Sequence, residues 1–94
     1  MAFPKRIDSN QNDIVKILRK LGASVQILSN VGKGCPDLLI GLNGNNYLIE
    51  VKDGEKSPSQ QKLTDCEQSF FYSWKGQACI INSMQSAIDF IASL

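Results

Sequence analysis

The sequence contains no histidine, and no two of its three cysteines have the spacing of a CxxC motif. Structural zinc sites need closely spaced Cys and His ligands, and the common nucleophilic triads need a histidine. These absences exclude a zinc finger, a Ser-His-Asp or Cys-His triad and a histidine general base. The odd number of cysteines also argues against a disulfide scaffold. We therefore expect reduced thiols and a cytoplasmic location.

Long apolar runs are also missing, since no stretch approaches the ~20 residues of a membrane span. Lys5 and Arg6 have no apolar segment behind them, so we expect no signal peptide. The chain has 94 residues, of which 43% are hydrophobic and 20% charged. This composition predicts one globular domain over residues 1–94. The net charge is only +1, so any binding to nucleic acid would need a local basic patch.

The first predicted element is an amphipathic helix. Four apolar residues follow the i, i+3, i+4, i+7 spacing of one buried face: Ile14, Ile17, Leu18 and Leu21. Asp8 or Ser9 can cap the start of this helix, and Gly22 suits the position just past its end. Residues 23–28 then alternate like a strand.

The next two segments, residues 37–42 and 46–53, have the pattern of a β-hairpin. Asn43-Gly44 is the preferred pair for a two-residue type I′ turn. That turn sets the register, which pairs Leu42 with Asn45, Ile40 with Tyr47 and Leu38 with Ile49. The resulting face, which continues to Val51, is apolar and predicts the core. The opposite face carries Asp37 directly across from Glu50, with Lys52 on the same side.

Residues 54–61 are polar and predict an exposed loop. Thr64 and Glu67 have capping-box spacing for a second helix, whose expected apolar side is Cys66, Phe70 and Trp74. We expect Cys66 and Cys79 to be buried as small apolar residues.

Residues 77–82 form a short apolar segment that predicts another strand. Ser83 caps a last helix, and its expected buried residues are Met84, Ala87, Ile88 and Ile91. The resulting order, α-β-β-β-α-β-α, predicts an α/β domain with a mixed sheet.

The hairpin brings two like charges together. Asp37 and Glu50 repel one another at opposed positions unless a cation lies between them. Lys52 can help from the side, and Mg²⁺ or Mn²⁺, which takes hard oxygen ligands, would do so better. Two carboxylates, a lysine and a divalent metal suit phosphodiester hydrolysis. The alternatives are a solvated cross-strand ion pair for Glu50 and Lys52, and a turn-capping role for Asp37.

Pro36-Asp37, twelve residues and then Glu50-Val51-Lys52 resembles the PD-(D/E)XK nuclease signature. The run 34–38 and the order of elements are similar to its VRR-NUC branch, the virus-type replication-repair nuclease domain, in the short stand-alone form of phages and bacteria. The resemblance covers nearly the whole chain. It implies a restriction-endonuclease-like core of α-β-β-β-α-β order, with a mixed central sheet flanked by helices.

The resemblance also implies roles for single residues. Asp37, Glu50 and the carbonyl of Val51 would bind the metal, and Lys52 would be the catalytic lysine. The superfamily often has an acid on the first helix, where this chain offers Asp8, Gln11 and Asp13, and the spacing to Gly22 favours Gln11. A solvated helix residue is the alternative for Gln11. Glu67 stands where the family tends to have glutamine, and its capping role is an explanation without catalysis.

Contacts to DNA are expected from lysines in loops or at the ends of elements, which are Lys33, Lys56 and Lys62. They could meet phosphates, although each has an ordinary solvated role as its alternative. No residue has the pattern of a base-reading element, so we expect recognition of DNA by shape. The aromatic residues Phe70, Phe71 and Trp74 favour a core or dimer face over a platform for stacking bases.

The functional expectation is a Mg²⁺- or Mn²⁺-dependent DNA endonuclease that acts on branched DNA as a homodimer, like a Holliday junction resolvase. No organic cofactor and no membrane are expected. The cell would be bacterial or phage-infected. The alternatives are a catalytically weak or inactive nucleic-acid-binding module of a phage replication or repair assembly, and a nicking component of a larger phage machine.

Overall fold

Within residues 7–94, four strands form one mixed sheet, and four helices flank it. The structure is a computed structural model that describes residues 7–94, and residues 1–6, with Lys5 and Arg6, lie outside the described residues. The elements in chain order are α1 (Gln11–Lys20), β1 (Ser24–Ile27), β2 (Leu38–Leu42), β3 (Asn45–Val51), α2 (Pro58–Gln61), α3 (Asp65–Ser73), β4 (Ala78–Ile81) and α4 (Met84–Ala92). The order β1-β2-β3-β4 is antiparallel except for the parallel pair of β3 and β4. The predicted fold class is confirmed.

The hairpin of β2 and β3 has the predicted turn and register. Asn43 and Gly44 both have positive φ angles, 54° and 81°, as a type I′ turn requires. Leu38 pairs with Ile49, and the pairing continues without a bulge to the turn. Because side chains alternate along a strand, this register decides which residues of β3 face the core.

The hydrophobic core lies between one face of the sheet and the helices α1 and α4. The strands contribute Leu38, Ile40, Ile49, Val51 and Ile81, and the helices contribute Ile14, Val15, Leu18 and Ala87. All of these side chains are buried, which confirms the apolar face predicted for the hairpin. The face predicted for the first helix is confirmed in part, because Ile14 and Leu18 are buried and Ile17 packs against the core, whereas Leu21 is 39% exposed. Burial of apolar area of this kind is the main favourable contribution to folding.

The start of α1 differs from the prediction. Its N-cap is Asn10, not Asp8 or Ser9, and Asn10 makes no capping bond to the helix. The Asn10 amide donates instead to the main-chain carbonyls of Lys52 and Asn82, at 3.1 and 3.2 Å. The start of the helix is therefore held by the ends of β3 and β4.

The region after the hairpin contains a helix that the prediction missed. Residues 58–61 form α2, which has Pro58 in its first turn and a capping box between Ser57 and Gln60. Both features are helix-start signals in the sequence. The expectation of a loop throughout residues 54–61 was therefore wrong.

The expected apolar side of α3 is not buried. Cys66 is exposed and Trp74 is 46% exposed, while Phe70 is half-buried and stacks on Trp74 with ring centroids 5.2 Å apart. The buried residue of α3 is Glu67. The spacing of the apolar residues correctly predicted a helix, but the side chain that this helix buries is the polar Glu67 of its first turn.

The buried side of α4 also differs in part. Met84 and Ile88 are 45% and 36% exposed, whereas Ala87 is buried and Ile91 packs against the core. Phe90 joins them through an edge-to-face contact with Tyr47 at 5.4 Å. The buried stripe of α4 therefore consists of Ala87, Phe90 and Ile91, and it lies next to the stripe that was predicted.

Within residues 7–94, no helix is both long and apolar enough to cross a membrane.

Gly34 allows the loop before β2 to lie against α3. It has a φ of 77°, and a Cβ there would overlap the carbonyl group of Cys66 and lie 2.8 Å from the Glu67 nitrogen. Gly32, in the same loop, has a φ of 80° and open space around its missing Cβ. A substitution at Gly32 would therefore cause backbone strain alone, whereas a substitution at Gly34 would cause both backbone strain and steric overlap.

Gly34→Ala should destabilise the chain more than Gly32→Ala. The strained φ alone should cost Gly32→Ala about 1 kcal/mol, and Gly34→Ala should lose more because α3 must move. Urea unfolding of both variants beside the wild type measures the difference. Equal losses of unfolding free energy would contradict the close packing of the loop on α3.

The cysteines should differ in reactivity. Burial raises the pKa of the half-buried Cys79 thiol to about 11, whereas Cys66 is exposed. At pH 8 only about one thousandth of Cys79 would be thiolate, which is the reactive form. Iodoacetamide should therefore alkylate Cys66 before Cys79 in a time course followed by peptide mass spectrometry. Labelling of Cys79 first would contradict the burial described here.

Candidate active site

Asp37 is held at the end of the hairpin by two bonds to neighbouring strands. Its main-chain carbonyl accepts from the Leu28 nitrogen at 2.7 Å, next to the end of β1. Its carboxylate accepts from the Val51 nitrogen at 2.8 Å. Asp37 is only 2% exposed, and the register places it opposite Glu50. The predicted juxtaposition of Pro36-Asp37 with the end of β3 is therefore present in the structure.

Glu50 and Lys52 lie on one side of the end of β3, as strand alternation requires. The Lys52 Nζ is 3.6 Å from a carboxylate oxygen of Glu50. Glu50 is 1% exposed and Lys52 is 8% exposed. A solvated strand face, which was the alternative for this pair, would leave both side chains in water, so that alternative does not hold.

Glu67 is the closer partner of Lys52. Its Oε1 accepts from the Lys52 Nζ at 2.8 Å and from the Thr64 nitrogen at 2.9 Å. The Thr64 hydroxyl accepts in turn from the Glu67 nitrogen at 3.2 Å. The predicted capping box is confirmed, and the same carboxylate also binds the lysine. The capping spacing was visible in the sequence, but the packing of α3 against the end of the sheet was not.

Lys52 is a cation in this environment. Burial alone would lower its pKa, but the hydrogen bond and charge of Glu67, together with the charges of Glu50 and Asp8, outweigh burial and raise the pKa above its ordinary value. At neutral pH the side chain is therefore an ammonium that donates hydrogen bonds.

Gln11 lies buried in the first turn of α1. It is 2% exposed, so the alternative of a solvated helix residue does not hold. Its amide nitrogen donates to the Ser29 hydroxyl at 3.2 Å, and its amide oxygen has no hydrogen-bond partner among the described residues. Of the other candidates on this segment, Asp13 is exposed and Asp8 pairs with Lys56 at 3.1 Å.

The oxygen donors at this end of the sheet suit a hard divalent cation. Asp37 and Glu50 are buried carboxylates on opposed strands, and the unpartnered oxygen of Gln11 is a neutral acceptor. Mg²⁺ and Mn²⁺ take such oxygen ligands, with few carboxylates and with carbonyl or water oxygens as the rest. Residues 7–94 hold no cluster of three or more acidic, Cys or His side chains around one point. The family resemblance implies the main-chain carbonyl of Val51 as a further ligand beside the two carboxylates.

The three lysines proposed for DNA contacts have different surroundings. Lys33 is exposed in the loop before β2 and borders a groove along α3 with Asp65 and Phe70. Lys56 is engaged with Asp8, and Lys62 is exposed just after α2. The ion pair of Lys56 with Asp8 is partly buried, so a DNA phosphate would have to replace Asp8 as the partner of Lys56.

Comparison with known proteins identifies the fold. No family model and no curated protein sequence matches the chain. A solved structure described as a VRR_NUC domain is similar to it, with 26% sequence identity and a TM-score of 0.61. The similarity covers 90% of this chain and 97% of the other, so it includes the sheet as well as the helices. The chain therefore has the nuclease-type fold of a VRR-NUC domain.

Proposed function

We propose that the protein is a metal-dependent DNA endonuclease that hydrolyses phosphodiester bonds. The observation that carries this proposal is the burial of Asp37, Glu50 and Lys52 together at the end of the hairpin of a VRR-NUC domain. Burying charged groups is costly, and such clusters are concentrated at functional sites.

In this proposal Asp37, Glu50 and the carbonyl of Val51 would hold Mg²⁺ or Mn²⁺. When bound, the metal would supply positive charge for the phosphate and lower the pKa of a water ligand. Lys52 donates hydrogen bonds to the charge that develops on the phosphate oxygens. The Gln11 amide oxygen orients a water molecule or serves as a neutral ligand. Lys33, Lys56 and Lys62 bind phosphates of the DNA backbone.

The proposed substrate is branched DNA, and the proposed active form is a homodimer. One domain of 94 residues offers one site, and cutting two strands of a branched molecule needs two sites related by symmetry. Exposed aromatic and apolar side chains, including Tyr72, Trp74 and Ile80, are available for a second copy. We place the protein in the cytoplasm of a bacterial or phage-infected cell, where its thiols stay reduced.

A second candidate is a nucleic-acid-binding module without catalysis. The neutral Gln11, where the superfamily often has an acid, favours it, because a site with less negative charge binds a cation more weakly. Calorimetry separates the two functions, since only the enzyme should bind Mn²⁺ in a way that depends on Asp37 and Glu50.

The first test is cleavage of a labelled four-way junction and a linear duplex, with Mn²⁺ or EDTA. Glu50→Gln and Lys52→Ala should each lose about 10²-fold or more of the junction-cleaving rate, as is typical when electrostatic stabilisation of a transition state is removed. The exposed residues Glu55 and Lys20 provide matched controls, and Glu55→Gln and Lys20→Ala should cut like the wild type.

Two results of this assay would change the proposal. Equal cutting of duplex and junction would retain the hydrolysis and remove the preference for branched DNA. A wild type that binds the junction without cutting it, with binding unchanged in Glu50→Gln and Lys52→Ala, would favour the binding module.

The role of Gln11 can be tested by adding a charge at its oxygen. Gln11→Glu should tighten Mn²⁺ binding by about tenfold to a hundredfold, since a hydrogen bond or contact to a charged group contributes about 1.5–3 kcal/mol. Asn12→Asp makes the same charge change at an exposed neighbour and is the control. Isothermal titration calorimetry measures both. An equal effect of the two substitutions would show that only the net charge matters and that Gln11 does not face the metal.

A further inference from the structure

The carboxylate nearest to Lys52 belongs to α3 and not to the hairpin. We infer that Glu67 is a positioning residue that fixes the Lys52 ammonium, so that the first turn of α3 is part of the active site. This inference rests on the proposed function, because it assigns Glu67 a role in the site proposed above.

The geometry around Lys52 requires such a partner. A lysine side chain has four rotatable bonds, so its ammonium is placed only where hydrogen bonds hold it. The distance of 3.6 Å to Glu50 exceeds that of a good hydrogen bond, whereas the 2.8 Å to Glu67 does not. Glu67 is itself anchored, since the same oxygen accepts from the Thr64 nitrogen.

Capping alone does not explain the burial of Glu67. The chain contains a second capping box, between Ser57 and Gln60 at the start of α2, and there the Gln60 side chain is exposed. Glu67 occupies the same position of its box but is only 4% exposed. Glu67 contacts Lys52, and Gln60 has no such contact with a buried lysine among the described residues.

The position of Glu67 is also tied to that of Asp37. Gly34 lies three residues before Asp37 in the sequence. The loop that carries Gly34 lies against the peptide that joins Cys66 to Glu67. The loop that leads to Asp37 and the turn that carries Glu67 therefore pack directly against each other. A carboxylate on a separate element can keep the lysine in place when Glu50 engages a cation.

The length of the side chain at position 67 tests the inference. Glu67→Asp keeps the charge and a good helix start but is one methylene shorter, so it should release Lys52. Glu67→Gln has the same length and can accept both hydrogen bonds, so it should retain most of the function. Thr64→Ala weakens the cap without touching Lys52, and Gln60→Asn makes the same shortening in the other capping box.

Two measurements are made on each variant. One is the rate of Lys52 acetylation by acetic anhydride, followed by mass spectrometry without metal or DNA. The other is kcat and KM for junction cleavage with Mn²⁺. We expect Glu67→Asp to raise acetylation about fivefold and to lower kcat about tenfold with little change in KM, because the lysine acts on the reacting phosphate and not in binding DNA. Thr64→Ala and Gln60→Asn should stay within about threefold of the wild type in both. Glu67→Gln should keep kcat within about threefold, while its acetylation should rise because the charge that favours the ammonium form of Lys52 is lost.

Two outcomes would overturn the inference. Acetylation and kcat that are unchanged in Glu67→Asp would show that Lys52 does not depend on Glu67. Equal effects of Thr64→Ala and Glu67→Asp would reduce Glu67 to its capping role. A different outcome bears on the nuclease proposal alone. If wild type cuts no DNA while Glu67→Asp still exposes Lys52, the contact stands and the proposed activity fails.

Discussion

The pairing of Lys52 with carboxylates from two different elements is the interaction on which the site depends. Three acidic side chains, Asp37, Glu50 and Glu67, are almost fully buried, and the last two lie within 3.6 Å of the Lys52 ammonium. Removing a charged group from water costs several kcal/mol, and attraction to one well-placed partner offsets about that much. Such a cluster persists only if main-chain donors and cations compensate it, and the Val51 nitrogen and Lys52 provide part of that compensation.

Strand alternation separates this polar cluster from the hydrophobic core. Along β3, Ile49 and Val51 point to α1 and α4, whereas Glu50 and Lys52 point to the opposite side. A shift of the hairpin register by one residue would exchange these two sets and bury the charges in the core. The tight turn at Asn43-Gly44 therefore determines the site as well as the core. The sheet supplies rigid positions for Asp37 and Glu50, which catalytic geometry requires.

The helices complete the same end of the sheet from both sides. Asn10 fastens the start of α1 to the ends of β3 and β4, which places the buried Gln11 there. Gly34 lets the loop before β2 approach the first turn of α3, which places Glu67. A neutral Gln11 and an anionic Glu67 are the two ways in which this chain differs from the pattern its family resemblance implies. Both differences change the charge around the residues proposed to bind the metal.

Much of the fold followed from local patterns. The spacing of apolar residues predicted α1, the Asn43-Gly44 turn predicted the register of β2 and β3, and Thr64 with Glu67 predicted the start of α3. These predictions succeeded because a turn type, a cap or a helical stripe depends on residues close in the sequence. Ser57-Pro58 and Gln60 carried an equally local signal for α2, which the prediction overlooked.

The sequence by itself determined which residues share a face, and so it placed Asp37 opposite Glu50 with Lys52 beside them. Only the tertiary structure decided what packs against each face. It buried Gln11, turned Glu67 towards Lys52, left Cys66 and Trp74 exposed, and selected Ala87 and Ile91 over Met84 and Ile88. The physical reason is that periodicity depends on backbone geometry, which is local. The choice of a partner depends on contacts between elements that are far apart in the chain, such as the 2.8 Å bond from β3 to α3.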